Sequence, residues 1–97
     1  MSQDAASTDP ALYKVVFEND RVRVLEYQDG PGDRTHLHRH PDSVMITLSD
    51  FQRELTMDGQ TVEVHKAAHE IGWLPAQEHV GHNVGSTPTH VVFVELK

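Results

Sequence analysis

The apolar runs of this chain are short, rich in β-branched residues, and closed within a few positions by Gly, Pro, Asn or Asp. That pattern leaves little room for a helical fold. Arg53-Glu54-Leu55-Thr56-Met57 and Gln60-Thr61-Val62-Glu63-Val64 flank Asp58-Gly59. A dipeptide that tolerates positive φ between two strand-like runs is the strongest short-range hairpin signal. Val62 and Val64 alternate with Thr61, Glu63 and His65, which predicts one dry and one wet face. Val15–Phe17 and Arg21–Tyr27, joined by Glu18-Asn19-Asp20, predict a second hairpin. Further strands are expected over Ser43–Ser49, over Ile71–Leu74 before Pro75, and over His90–Leu96. His79–Thr89, with Gly81, Gly85 and Pro88, reads as turns. Only Ala67–Glu70 hints at a helix. Seven to nine short strands predict an all-β domain, a sandwich or a barrel.

The length of 97 residues allows one domain. Residues 1–12 are small and polar and are expected to be a flexible N-terminal tail, wrapped or loose, ahead of a single domain over 13–97. A chain this short buries roughly 60–65% of its unfolded surface, so a bound metal or a dimer partner would be a useful supplement. The net charge of −7 offers no basic stripe for nucleic acid or for an anionic membrane. No apolar run approaches the ~20 residues that span a bilayer. The first residues have neither the basic start nor the apolar core of a targeting signal, so a cytoplasmic location is expected.

Histidine is the unusual component: eight in 97 residues, three of them at positions 36, 38 and 40. Without cysteine, any metal must be held by nitrogen and oxygen ligands. On an extended strand, residues two apart share a face with Cα atoms roughly 6.5–7 Å apart, so their imidazoles can converge on one ion. Residues four apart lie about 13 Å away and cannot. The pair is therefore His36/His38 or His38/His40, and His38 belongs to both. A third ligand must come from elsewhere. His79, in the turn after Pro75, is the best candidate, ahead of His82, His90, Asp42 and Glu95. Three protein ligands leave a position for water or substrate.

With these residues in view, the sequence resembles a small single-domain cupin of the RmlC-like cupin superfamily. The first cupin motif, Gly then His-x-His, is matched by Gly32 and His36-Leu37-His38-Arg39-His40. The second, Gly to Pro to His and then Asn, is matched by Gly72-Trp73-Leu74-Pro75 through His79 to Asn83. The resemblance implies a double-stranded β-helix, the cupin jelly-roll barrel, with His38, His40 and His79 as ligands and His36 as the alternative partner of His38. Two departures stand out. The glutamate of the first motif has no counterpart, and Gln77 replaces a glycine of the second. A three-histidine site suits iron, nickel, zinc or copper.

Fold alone does not name a reaction. Two readings follow. One is a small metalloenzyme, dioxygenase-like or using metal-assisted chemistry on a small organic molecule. The other is a non-catalytic module that binds a ligand or metal. Met45, Ile46, Trp73, His82 and Phe93 are candidates for the pocket lining. The strand Val91–Leu96 and the hairpin near Val15–Tyr27 are candidate edges for a homodimer.

Overall fold

A computed structural model describes residues 3–97. Among them one short helix, α1 (Ala5–Thr8), precedes β1 (Tyr13–Glu18), β2 (Val22–Asp29), β3 (His38–His40), β4 (Ser43–Thr47), β5 (Phe51–Met57), β6 (Gln60–Lys66), β7 (Ile71–Leu74), β8 (Gln77–Asn83) and β9 (Thr89–Leu96). Two antiparallel sheets result, a five-stranded one in the order β1-β2-β9-β4-β7 and a four-stranded one in the order β3-β8-β5-β6. This is the all-β, jelly-roll arrangement expected.

Both predicted hairpins form, for local reasons. Asp58 and Gly59 adopt positive φ of 51° and 76°, which lets Met57 pair directly with Gln60. In the other hairpin the Asn19 side chain accepts hydrogen bonds from the Arg21 and Val22 amides at 2.8 and 2.9 Å, a side-chain substitute for a backbone turn. A bulge between Val15 and Phe17 bends β1.

Three expectations are corrected. Residues 77–83 form a full strand, β8, paired with β3 and β5, although His79–Thr89 reads as turns. Ala67–Glu70 is a turn with His69 at φ 75°, closed by Asp50 and Glu70 carboxylates that accept from the Ala68 and Ala67 amides. The last strand, a candidate edge, instead lies between β2 and β4 in the middle of its sheet. β1 and β7 are the edges of that sheet, with Val15, Val16 and Phe17 about half exposed on β1 and Ile71 and Trp73 exposed on β7.

Residues 4–12 are packed on the domain. Ala5 is fully buried and belongs to the same core as Tyr13, Leu25, Tyr27, Phe51, Val91 and Phe93. No helix among the described residues is long and apolar enough to cross a membrane.

Candidate metal centre

Strand β3 is three residues long, and its alternation decides the site. His38 and His40 point inward and are fully buried, while Arg39 points out and pairs with Glu78. In the antiparallel register His38 lies directly opposite His79 on β8, so a third imidazole meets the first two. Ring centroids are 4.8 Å apart for His38 and His40, 4.7 Å for His38 and His79, and 5.3 Å for His40 and His79. One ligand atom from each lies within 4.8 Å of the other two.

The outward nitrogens fix how these rings are protonated. His38 Nδ1 donates to the His36 carbonyl at 2.8 Å, His40 Nδ1 to the Glu95 carboxylate at 3.0 Å, and His79 Nδ1 to the Gln77 side-chain oxygen at 2.7 Å. Each partner can only accept, so each Nδ1 carries a proton, and in the neutral ring the free lone pair lies on Nε2. Gln77 is held in that orientation by its own amide, which donates to the Pro75 carbonyl. Burial, reinforced by the neighbouring imidazoles, pushes His79 down to about 3; burial likewise brings His38 down to about 4. Both rings are neutral at pH 7. Three imidazoles, each with its Nδ1 turned to an acceptor, fit a metal, because second-shell acceptors on Nδ1 are the usual companions of Nε2 ligation.

The N-terminal residues reach this cluster by three routes. Asp4 pairs with Arg23, which donates from Nε and Nη2 to Glu95 Oε1 at 3.0 and 2.7 Å, and Glu95 holds His40. Asp9 accepts from the amide and ring of His36, whose carbonyl holds His38. Tyr13, fully packed between Tyr27, Phe93 and the cluster, points its hydroxyl at His38 Nε2 (3.2 Å) and His40 Nε2 (3.4 Å). Burial pushes its phenol well above the ordinary tyrosine value.

His36 does not join the cluster. Its ring is 80% exposed and bound to Asp9. The weaker ligand candidates also lie elsewhere. His90 pairs with Glu26, Asp42 accepts from the Ala76 amide, and Glu95 supports His40 from behind. His82 sits on β8 out of phase with His79 and lines no part of the cavity beside the cluster.

Tyr13 and His79 form one wall of a cavity of about 290 Å³ between the sheets. Met45, Phe93 and Trp73, three of the expected lining residues, border it together with Leu55, Met57 and Val64, whereas Ile46 does not. A buried polar element of the lining is Arg53. Its guanidinium is buried, stacks over the Tyr27 ring at 4.8 Å, and pairs with Asp29 and the Tyr27 hydroxyl. Asp29 also accepts from Asn83 Nδ2 at 2.9 Å and the Thr89 amide at 3.0 Å. The residues involved come from four strands, so no local sequence signal marks them.

No family model and no curated protein matches the sequence. Solved structures do. A cupin domain from Bordetella pertussis Tohama I is similar with a TM-score of 0.83 and 27% identity, over 89% of this chain and 92% of that one. The chain has the fold of a small cupin. A double-stranded β-helix domain protein from Klebsiella pneumoniae is similar at 26% identity and a TM-score of 0.69, covering 88% of this chain and 75% of its own length. A Thermotoga maritima protein described as a predicted oxalate decarboxylase shares the fold at 16% identity and a TM-score of 0.60, over 88% and 79% of the two chains. The chain is thus a double-stranded β-helix whose three inward histidines could hold a metal.

Proposed function

We propose that the protein binds one divalent first-row metal ion through Nε2 of His38, His40 and His79, and that it acts on a small organic molecule held in the adjoining cavity. One observation carries this reading: each of the three Nδ1 atoms donates to an acceptor-only group, which leaves Nε2 of each ring for an ion. An iron or copper ion would supply redox chemistry there, and zinc or nickel would polarise a bound carbonyl. The protein's own part is orientation and exclusion of water. Leu55, Met57, Phe93 and Trp73 give the cavity an apolar lining, and a volume of about 290 Å³ suits a compact molecule.

A second reading, a binding module without turnover, is favoured by the scarcity of acid–base groups. Glu70, on the exposed rim, is the one carboxylate among the described lining residues, and Arg53 is already engaged by Asp29. Metal content separates the proposal from a bare fold. Chelator-stripped protein titrated with Fe(II), Ni(II), Zn(II) or Cu(II) is expected to bind one ion per chain, and His38→Ala to bind none. Full stoichiometry in His38→Ala refutes the site. Substrate-dependent oxygen uptake by the iron form favours the enzyme over the module.

The free edge of β1 supports a homodimer through a second copy of that strand, since an unpaired apolar edge invites pairing. Light scattering after size exclusion tests it. A monomer at high micromolar concentration excludes that assembly.

A further inference from the structure

The cluster lacks the carboxylate that the first motif would contribute, and the tyrosine that opens β1 points its hydroxyl into the cluster. We propose that the phenol oxygen of Tyr13 is the fourth protein donor to the ion held by His38, His40 and His79. This inference rests on the three-histidine reading above.

The distances carry it. Two donors at roughly 2.0–2.1 Å from one tetrahedral ion are separated by about 3.3 Å, by simple trigonometry on ordinary metal–nitrogen and metal–oxygen lengths. The Tyr13 oxygen lies 3.2 Å from His38 Nε2 and 3.4 Å from His40 Nε2, the two atoms that would be its neighbours around the ion. A hydroxyl placed only to satisfy one imidazole needs one such contact. This one is shared between two nitrogens whose own protons lie on the far side of each ring. In the absence of an ion the O–H donates to one of these lone pairs. On coordination the oxygen turns its own lone pair to the ion, and the hydroxyl proton passes to solvent.

The position of Tyr13 is fixed by packing rather than by this contact alone. Its ring lies 4.6 Å from that of Tyr27 and 6.0 Å from that of Phe93, and the backbone amide of Tyr13 donates to the Asp9 carbonyl at 2.9 Å. The oxygen therefore has little freedom to swing away when an ion arrives. With four protein donors on one ion, a ligand from the cavity would have to enter as a further donor or displace the phenol.

Copper is the probe, because imidazole sites bind Cu(II) more tightly than the other divalent first-row ions. Chelator-stripped protein is loaded with one equivalent of Cu(II), and metal content, the visible spectrum and the paramagnetic resonance spectrum are recorded. The expected result is one copper per chain with a phenolate-to-copper charge-transfer band. Tyr13→Phe is expected to keep its copper, lose the band, and bind the ion at least tenfold more weakly. Stoichiometric copper without the band in the unmodified protein overturns the role of Tyr13 and leaves the histidine site standing. A band that persists in Tyr13→Phe does the same. Copper bound below one per chain, or bound equally well by His38→Ala, takes down the histidine site and the tyrosine with it. The wild-type spectrum decides the matter even where a variant fails to fold.

Discussion

The guanidinium of Arg53 fills the space that a side chain at Gly81 would occupy. A Cβ built there would collide with Arg53 Nη2 and lie 3.2 Å from its Cζ. Gly81 is therefore part of the cavity wall, a strand glycine that lets another group approach the backbone. Arg53 has nowhere to go, being tied to Asp29 and the Tyr27 hydroxyl. Gly81→Ala is expected to lower stability by about 1–3 kcal/mol, the usual range for overpacking. The loss should largely vanish when Arg53→Met is combined with it. Urea unfolding of the two single variants and the double variant measures this coupling, and additive losses would contradict it.

Asp29 is buried and accepts from Arg53, Tyr27, Asn83 and the Thr89 amide. Arg53→Met leaves that carboxylate without its charge partner, which is expected to cost about 3–5 kcal/mol. Asp29→Asn combined with Arg53→Met removes both charges and should recover a good part of the loss. A single variant as stable as the parent would mean that the pair contributes nothing.

Glu95 holds His40 from its Nδ1 side and is itself held by Arg23. Acceptors of this kind orient a ligand ring and raise its basicity, and their loss typically costs 10–100-fold in metal affinity. Glu95→Gln is expected to weaken ion binding within that range while stoichiometry stays at one per chain. Competition against a chromophoric chelator reads the change, and unchanged affinity would remove Glu95 from the site.

The metal-free protein should be sensitive to mild acid. His38 titrates near 4 and His79 near 3 in the folded chain, against roughly 6.5 for a solvated imidazole. Between those values the unfolded chain binds more protons, so stability falls as pH drops from about 6.5 toward 4 and is untouched above 7. Thermal melts in chelator at pH 7.5, 5.5 and 4.5 follow the decline, and His79→Gln should flatten it. Bound metal holds the rings unprotonated, so the loaded protein should keep its melting temperature further into acid.

The histidine trio was legible because two of its members obey strand alternation and the third follows Pro75 at a spacing seen in cupins. Its surroundings were legible only in part: Met45, Trp73 and Phe93 do line the cavity. Tyr13, Glu95 and Arg53 reach the centre or the cavity from β1, β9 and β5, and pairings between strands so distant in sequence leave no local trace. The reading of β8 as turns failed for a related reason. Gly81 signals a turn by local propensity, yet here it makes room for Arg53. His36 had the right spacing to His38, but β3 begins only at His38, so strand geometry never applied to it.

Asp4 and Asp9 lie outside every strand, yet each ends at a cluster histidine through one intervening residue or two. They precede every strand in sequence, whereas His79 and Glu95 come from β8 and β9. The cage around the imidazoles closes only when segments far apart in sequence have met. Ion uptake during refolding should accordingly trail sheet formation, which makes it a timer for the final docking step.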